Sequence, residues 1–264
     1  MKIGFIGCGN MAKAIIAGLI KTNTFLPEEI IASDNSEKAL SDAKNMYGIN
    51  TTVNNSELVL ESEMILLAVK PQVIASVINE IGDTVSENKI IISIVAGQSI
   101  DRIESLFGRN IKLIRTMPNT PALCGEGMTA VCANGNVTDV ELAYALKILS
   151  SFGKAEVVPE KLMDAVVAVS GSSPAYVAMF IEAMADAAVA EGMPRAQAYT
   201  FAEQAVYGTA KLLIDTKMHP GELKDMVCSP AGTTIEAVRV LEEKGMRSAV
   251  IEAMRTCANI SSKL

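Results

Sequence analysis

Continuous apolar runs alternate with helical patterns through about residue 158. Five of these runs are rich in β-branched residues and predict strands. Their apolar positions are continuous rather than alternating, which is typical of parallel strands buried on both faces. The strands are predicted at Lys2–Ile6, Ile30–Ser33, Met64–Val69, Ile90–Val95 and Lys112–Arg115. Crossover helices are predicted at Met11–Ile20, Glu37–Tyr47, Pro71–Ile81 and Ile100–Phe107. The pattern indicates an α/β fold that begins with a Rossmann-like, doubly wound sheet.

Beyond Pro159 the strand-like runs stop, and Ala, Met, Glu and Lys recur at helical spacing. The segment Pro174–Ala190 is rich in alanine, and such small side chains allow another helix to approach closely, within the chain or from another subunit. Gly192-Met193-Pro194 combines a glycine stop with a proline start, so one helix ends and the next begins there. We therefore predict a sheet domain over residues 1–159 and an all-α domain of about five helices over residues 160–264.

Composition and charge exclude several classes of function. Half of the 264 residues are hydrophobic and a fifth are charged, which is ordinary for a folded soluble protein. The net charge of −7, without a cluster of Lys and Arg, argues against a nucleic-acid partner. Glu182 and Asp186 interrupt the most apolar helix and argue against a membrane span. The first strand begins at once, which leaves no room for a signal peptide and predicts a cytoplasmic protein.

The cysteines and the single histidine give no metal-binding pattern. Five cysteines are scattered without a CxxC pair, and His219 is the only histidine, so we predict reduced thiols and no metal site. The cysteines are Cys8, Cys124, Cys132, Cys228 and Cys257.

A glycine turn follows the first predicted strand and leads into a helix. Gly7-Cys8-Gly9-Asn10-Met11-Ala12 has small residues where the chain must reverse tightly and where a pyrophosphate must approach the backbone. The turn stands at the head of an alternating βα pattern, which favours a dinucleotide site. A tight turn that binds no ligand remains the alternative interpretation. We predict that the residues from Ile6 to Met11 bind a nicotinamide cofactor: Ile6, Gly7, Cys8, Gly9, Asn10 and Met11.

Asp34 ends the second predicted strand, where an acidic residue binds the adenosine ribose. Its carboxylate would accept ribose hydroxyl groups and repel a 2′-phosphate, which favours NADH. Lys38, one turn later, could offset that repulsion, so NADH and NADPH both remain open. A helix N-cap is an equally good interpretation of Asp34.

Two further segments follow predicted strands, at the edge of the sheet where ligands bind. They are Ala68-Val69-Lys70-Pro71 and Ile94-Val95-Ala96-Gly97, and we expect them to flank the ribose and the nicotinamide, mainly through backbone contacts. The alternative for Lys70 is an ordinary solvated charge.

In the second domain Ser229-Pro230-Ala231-Gly232-Thr233-Thr234-Ile235-Glu236 indicates a loop entering a helix. Thr233 and Glu236 have the spacing of a capping box. Free N–H groups at such a helix entrance bind carboxylates without an Arg, although an ordinary cap explains these residues equally well.

A general base is harder to find. His219 precedes Pro220 and resembles a helix-start residue. Tyr207 and Lys211 have the YxxxK spacing of short-chain dehydrogenases, but that family begins with a differently spaced glycine motif, so the match is coincidental.

The motifs of the second domain point to one protein family when they are taken together with two motifs of the first domain. In this order along the chain they resemble the Δ1-pyrroline-5-carboxylate reductase family, and the resemblance runs from the first strand to the last helix. One departure is Ala231, where the family usually has glycine. The motifs are Ala68-Val69-Lys70-Pro71, Met117-Pro118-Asn119-Thr120-Pro121, Ser170-Gly171-Ser172-Ser173-Pro174-Ala175-Tyr176, Met193-Pro194-Arg195, His219-Pro220-Gly221-Glu222-Leu223-Lys224-Asp225 and Ser229-Pro230-Ala231-Gly232-Thr233-Thr234.

The resemblance implies NAD(P)H-dependent reduction of a cyclic imine to proline, the last step of proline biosynthesis, with NADPH the usual cofactor of the family. The hydride passes to the imine carbon, C5 of proline. A protonated imine is already an electrophile, so positioning and water exclusion can replace a strong base.

The resemblance also assigns residues. It implies that the helix entrance Ala231, Gly232, Thr233 and Thr234 holds the substrate carboxylate, with Thr234 as the catalytic residue that orients the ring nitrogen or the carboxylate. It places Glu160 near the substrate, Asn55 at the adenosine end and Met226 beside the cofactor. It further implies a homodimer through the helical domain, with larger assemblies of dimers in some members.

Two other interpretations remain possible from the sequence. A β-hydroxyacid dehydrogenase shares the layout and uses a lysine of the second domain, which could be Lys211, but the glycine-rich approach to that lysine is missing. A nucleotide-sensing module would lack a substrate site, and the helix-entrance loop argues against it.

Overall fold

A computed structural model of the chain describes residues 2–263. Met1 and Leu264, the outermost residues of the two predicted domains, lie outside the described residues. The chain divides into two compact units: one comprises Met1–Ser172 and Cys257–Leu264, and the other comprises Ser173–Thr256. The domain boundary between residues 159 and 160 stays a prediction.

The first unit contains a sheet of eight strands in the order β3-β2-β1-β4-β5-β6-β7-β8. Every neighbouring pair is parallel except β6 and β7, which are antiparallel. The order reverses direction beside β1, and this topological switch point is where ligands bind in doubly wound sheets. The strands are β1 Ile3–Ile6, β2 Ile30–Ser33, β3 Asn50–Thr52, β4 Met64–Leu67, β5 Ile90–Ser93, β6 Lys112–Met117, β7 Gly127–Ala133 and β8 Gly153–Val157.

Helices cover both faces of this sheet, as the continuous apolar strands require. On one face Ile3 and Phe5 pack in a buried cluster with Ile15, Ile16 and Leu19 of α1. The opposite face is covered by a second buried cluster, which includes strand β4 and helix α4. The helices of this unit are α1 Asn10–Lys21, α2 Glu37–Tyr47, α3 Asn55–Glu61, α4 Ile74–Ile81, α5 Ile100–Phe107, α6 Asp139–Leu149 and α7 Met163–Val166, the last continued by a π-helical turn at Val167–Gly171.

The fold class and the five predicted strands are confirmed, and three strands were not predicted. Two of the three, β3 and β8, lie at the edges of the sheet and have no fully buried residue. Edge strands need fewer apolar residues, and therefore carry a weaker sequence signal. The third, β7, is built largely from glycine, alanine and cysteine, which have low strand propensity or little bulk.

The second unit is helical. It contains α8 Ser173–Ala190, α9 Arg195–Thr216, α10 Pro220–Val227, α11 Thr233–Glu243 and the first part of α12 Met246–Ser261. Helices α8 and α9 pack on each other through small residues, among which Ala185, Ala198 and Ala202 are buried. Much of the apolar surface of these helices stays exposed.

One described helical run, Glu160–Ala190, is long and apolar enough to cross a membrane by length and composition alone. Only 6% of its most apolar window is buried. A surface helix that packs against another copy of a chain has the same composition, so this observation is weak evidence for a membrane span.

Candidate functional site

The glycine turn joins β1 to α1, and its two glycines have different tasks. Gly7 has a left-handed φ of +97°, and a Cβ there would lie 2.6 Å from the carbonyl oxygen of Ala68. A larger residue would therefore collide with the chain that leaves β4. Gly9 is different, because a Cβ there would meet no described atom within 4 Å. The second glycine thus faces open space, where a ligand could approach the backbone.

Gly9 is also the N-cap of α1, and no side chain caps this helix. The first N–H groups of a helix lack intrahelical partners and carry a partial positive charge. Open space beside such an entrance is suited to a phosphate group. The geometry therefore fits a dinucleotide.

Asp34 links the end of β2 to the glycine turn. Its Oδ2 accepts a hydrogen bond from the backbone N–H of Cys8 at 2.8 Å, and its Oδ1 accepts one from the N–H of Ser36 at 2.8 Å. The N-cap of α2 is Ser36, whose hydroxyl accepts from Ala39, so the N-cap alternative for Asp34 is wrong. Each carboxylate oxygen keeps a free lone pair that could accept a ribose hydroxyl.

A cavity of about 340 Å³ extends along the carboxyl ends of β1, β2 and β4. Asn55 lies on it at the start of α3: its carboxamide accepts a hydrogen bond from the hydroxyl of Ser33 at 2.6 Å and donates one to Glu80 at 2.8 Å. Eight of the predicted cofactor residues line this cavity: Ile6, Gly7, Gly9, Asp34, Asn55, Ala68, Val69 and Lys70.

The other predicted cofactor residues lie elsewhere. Cys8 is buried behind the turn, and burial raises the pKa of its thiol. Pro71 begins a 3-10 turn, and Val95 is buried just after β5. The residues not lining the cavity are Cys8, Asn10, Met11, Pro71, Ile94, Val95, Ala96 and Met226, the last of which belongs to the second unit.

Sequence reasoning missed four polar residues of this cavity: Ser33, Asn35, Ser76 and Glu80. Ser33 is the last residue of β2, so the rule that identified Asp34 could also have found it. Glu80 lies on α4, where its charge looks like that of any exposed helix position, and the sequence carries no signal for it.

In the second unit the loop before α11 has an unusual backbone. The N–H of Gly232 donates to the carbonyl of Ser229 at 3.0 Å, which closes a turn with Pro230 and Ala231 at its centre. Ala231 has a left-handed φ of 54°. In a type II turn proline is common at the first of these two positions and the second needs a positive φ, which is why glycine fits the second position better than alanine.

Helix α11 begins at Thr233 with Gly232 as its N-cap, and no side chain caps it. The predicted capping box of Thr233 and Glu236 is therefore wrong, because Thr233 is already inside the helix and Glu236 pairs with Arg239 at 3.0 Å. The correction leaves the first N–H groups of α11 without a side-chain acceptor. Such an entrance favours a carboxylate more strongly than a capped one.

Thr234 lines an apolar cleft of about 630 Å³ within the second unit, together with Met226. Lys224 and Cys228 also line this cleft, whereas Ala231, Gly232 and Thr233 do not. A hydrogen bond to Asp225 raises the pKa of Lys224, so its ammonium group stays charged at neutral pH. The cleft thus combines an apolar wall, a cation and a hydroxyl group.

Glu160 belongs to the first unit and begins a 3-10 turn after β8. Its Oε1 accepts hydrogen bonds from Arg115 Nη1 at 2.8 Å and from the N–H of Ile100 at 2.8 Å. Ile100 is the first residue of α5, so Glu160 holds the entrance of that helix. Nearby Cys132 is buried, which raises the pKa of its thiol to about 11 and removes it as a nucleophile.

Two of the side chains considered as bases, His219 and Lys211, have structural partners. His219 caps α10, since its Nδ1 accepts from the N–H of Gly221 at 3.1 Å. Lys211 forms an ion pair with Asp215 at 2.6 Å. Between residues 2 and 263 the structure contains no group of three or more His, Cys, Asp or Glu side chains that could hold a metal ion.

Comparison with known proteins gives two matching family models. A model described as pyrroline-5-carboxylate reductase dimerisation matches residues 160–264, and one described as NADP oxidoreductase coenzyme F420-dependent matches residues 2–97. Among curated proteins, the chain is 53% identical to pyrroline-5-carboxylate reductase of Escherichia coli (strain K12), covering 100% of this chain and 98% of the relative.

Two solved structures are similar over the whole chain. A Plasmodium falciparum pyrroline carboxylate reductase with NADP bound has a TM-score of 0.91 and 32% identity, with coverage of 100% and 97%. A Coxiella burnetii pyrroline-5-carboxylate reductase has a TM-score of 0.93 and 34% identity, with coverage of 99% and 97%.

Proposed function

The chain belongs to the pyrroline-5-carboxylate reductase family, and on that premise we propose how its residues divide the work of the reaction. It is an oxidoreductase that uses NAD(P)H to reduce Δ1-pyrroline-5-carboxylate to proline, in proline biosynthesis. The β-hydroxyacid dehydrogenase alternative is not favoured by these matches, and its candidate lysine, Lys211, is paired with Asp215.

The first unit is proposed to hold the cofactor, which supplies the hydride when bound. The free N–H groups at the entrance of α1 and the open space at Gly9 would hold the pyrophosphate. Asp34 and Asn55 would contact the adenosine ribose, and the segment Ala68–Pro71 would follow the cofactor along the sheet edge. The segment Ile94–Ala96 would flank the nicotinamide.

The entrance of α11 is proposed to hold the substrate carboxylate. The observation that carries this proposal is the missing side-chain cap, which leaves N–H groups at Thr233 and Thr234 for an anion. The hydroxyl group of Thr234 would orient the ring nitrogen, which enters the reaction protonated. We place Met226 at the cofactor side of the same cleft, and Ala231 and Gly232 shape the turn that leads to the carboxylate site.

No strong base is needed, because the iminium carbon accepts the hydride directly. The protein then contributes by holding the two reactants in line and by excluding water. We also propose that Glu160 lies near the substrate. The support is the hydrogen bond that Glu160 accepts from the N–H of Ile100 at the start of α5, the helix that follows the proposed nicotinamide segment.

The match to a dimerisation model suggests a homo-oligomer. The finer proposal is a homodimer formed through residues 160–264 of each chain, with larger assemblies of dimers left open. The start of that match at residue 160 supports a domain boundary after residue 159. We further propose a cytoplasmic location, without a nucleic-acid or membrane partner.

The test is an assay of purified protein with pyrroline-5-carboxylate and, separately, with 3-hydroxy acids. We expect oxidation of NAD(P)H with the imine and no turnover of the hydroxy acids. Thr234→Ala should lower turnover and leave cofactor binding nearly unchanged. Thr200→Ala is the matched control, because that hydroxyl only donates to the carbonyl of Ala196 in α9. Turnover of a hydroxy acid, or none of the imine, contradicts the proposal.

A further inference from the structure

Two of the sequence motifs, the one at Met117–Pro121 and the one that begins at Ser170, have no role in the proposed function. In the structure a hydrogen bond joins them. Asn119 of the Met117–Pro121 motif donates from Nδ2 to the carbonyl oxygen of Ser170 at 3.0 Å. Its Oδ1 accepts from the N–H of Met128 at 2.8 Å. The side chain is nearly buried, at 9% exposure, and both ends of its carboxamide hold backbone groups from distant segments. Asn119 is therefore a clamp between the β6–β7 connection and the turn that contains Ser170.

That turn is π-helical, over Val167–Gly171, and it is closed by a hydrogen bond from the N–H of Ser172 to the carbonyl of Val167 at 2.8 Å. Single π turns are rare and occur frequently at functional sites. Gly171 packs closely on the last residue of β6, because a Cβ there would lie 3.3 Å from Cε of Met117. Ser170, Gly171 and Ser172 are only half-buried, so one side of the turn is open to a ligand.

The clamp lies at the edge of the sheet where the nicotinamide is proposed to bind. Strands β5 and β6 are parallel and in register, with Ser93 opposite Arg115, so both chains leave the sheet at the same edge. Val95 belongs to a buried cluster against which the partly buried Met117 and Val166 pack, and this cluster connects the proposed nicotinamide segment to the π turn. All of these residues belong to the first unit.

We propose that the π turn Val167–Gly171 forms a wall for the nicotinamide ring and that Asn119 is the positioning residue that sets the height of this wall above β6. The inference rests on the cofactor placement proposed above. Asn119 touches neither reactant, and it acts by fixing the carbonyl of Ser170, and with it Gly171, against Met117. A looser wall lets the ring move away from the position in which C4 faces the imine carbon. Displacements of about 1 Å can slow such a step about 100-fold.

Asn119→Ala tests the proposal in the full-length protein with pyrroline-5-carboxylate and a cofactor deuterated at both C4 positions. We expect kcat to fall about 10-fold or more, while KM for the cofactor changes little. Because hydride transfer becomes the slow step, the deuterium isotope effect on kcat should rise. A merely structural role would reduce the amount of folded enzyme and would leave the isotope effect of the remaining enzyme unchanged.

Asn134→Ala is the matched control. Its carboxamide also accepts from a backbone N–H, that of Leu113, and donates to a carbonyl, that of Ile111, but at the opposite end of β6. We expect it to lower stability without raising the isotope effect.

If Asn119→Ala does not fold, Gly171→Ala replaces it. The added methyl group stands on the wall itself and meets Cε of Met117 at 3.3 Å, and it comes no closer than 3.9 Å to the backbone oxygen of Val166, so it changes the contact between the wall and β6 without a clash that would prevent folding. We expect a raised isotope effect here as well. An isotope effect equal to that of the wild type in the folded variant, or an equal rise in Asn134→Ala, would overturn the positioning role. Absence of imine reduction by the wild type would instead overturn the proposed function.

Discussion

Ala231 holds a left-handed backbone conformation, φ 54°, in the turn before α11. A Cβ in this region costs about 1–2 kcal/mol, and glycine avoids the cost. Glycine also gains freedom in the unfolded chain, which offsets part of the benefit. We expect Ala231→Gly to raise the free energy of unfolding by about 0.5–1 kcal/mol, measured by urea denaturation at a fixed protein concentration.

Ala187→Gly, inside helix α8, is the control for that measurement. A glycine there should lower the free energy of unfolding by about 1 kcal/mol, because no positive φ is relieved. Opposite signs for the two substitutions support strain at Ala231, whereas a loss of stability in both contradicts it.

The charge of Asp34 makes the cofactor choice testable. Its carboxylate accepts hydrogen bonds from the N–H groups of Cys8 and Ser36, which hold it in place beside the proposed position of the adenosine ribose and of any 2′-phosphate on it. Two like charges about 4 Å apart near a surface repel by several kcal/mol at most. We expect Asp34→Ser to raise the ratio of kcat/KM for NADPH to kcat/KM for NADH by about 10-fold or more.

The ratio separates the effect of the charge from the effect of a structural change, because loss of the hydrogen bond to Cys8 would weaken the binding of NADH and NADPH alike. Asp42→Ser, an exposed change on α2, is the control and should leave the ratio unchanged. A ratio that stays constant or falls in Asp34→Ser would show that the carboxylate does not select the cofactor.

For single residues, the sequence indicates which residue types a site needs more readily than which side chains contact each other. Gly7, Gly9 and Asp34, which line one cavity, were proposed from spacing alone, because a tight turn and a ribose site favour those residue types at those positions. The capping box at Thr233 was a wrong prediction, since the T-x-x-E spacing is compatible with two helix starts that differ by one residue. The contact of Asn119 with Ser170 joins positions 51 apart, and no local pattern could reveal it.

Glu141 joins two elements of the first unit, the start of β6 and the start of α6. It accepts a hydrogen bond from Lys112 at 2.5 Å, and it completes a capping box with Thr138. The hydrogen bond from Lys112, and next that from the N–H of Thr138, lower the pKa of Glu141 below 4.5. A lowered pKa in the folded state means that this carboxylate stabilises the fold above about pH 4.5 and that the contribution is lost as the pH falls through the folded pKa.

We therefore expect Glu141→Gln to lower the free energy of unfolding at pH 7 by about 0.5–1 kcal/mol. Glutamine can keep the capping box, so the loss isolates the charge. The difference from the wild type should shrink as the pH falls below 4.5. Denaturant titrations across this range measure it. Glu252→Gln, which removes an exposed pair with Arg255, should change stability less, and a larger effect there would contradict the argument.

Strands and helices could be predicted from the sequence where their burial determines which residue types they contain. The central strands β1, β2, β4 and β5 have only buried residues, so their apolar runs are unbroken. Helix α2 was predicted with its observed ends, because Ser36 and Gly48 are strong start and stop signals. Strand β8 pairs on one side only, and its sequence alternates too weakly to distinguish it from a loop.

For the whole molecule, composition and order of elements were sufficient to predict the fold class, because strands alternating with helices leave few arrangements. The division into two units was harder to locate. The strands end at Val157, but the units divide only after Ser172, a single bend residue between the π turn Val167–Gly171 and α8. A one-residue bend inside a helical pattern has no linker composition, so it carries no sequence signal for the point at which the contacts change.

The second unit exposes many large apolar side chains, and these are the basis of the last prediction. Met179 on α8 and Phe201 on α9 are 68% and 61% exposed. Large apolar patches on soluble proteins mark interaction sites, and a dimerisation model matches this part of the chain. We expect light scattering to give the wild type a mass of at least twice 28.0 kDa.

Met179→Glu and Phe201→Glu each place a charge where the proposed homodimer would bury it, and a buried unpaired charge costs several kcal/mol. We expect these variants to shift towards the mass of one chain on dilution. Val140→Glu is the matched control, because Val140 is 80% exposed on α6 of the first unit, outside the region that matches the dimerisation model. It should keep the wild-type mass. A wild type that is monomeric, or variants that all keep its mass, would contradict a dimer formed through these helices.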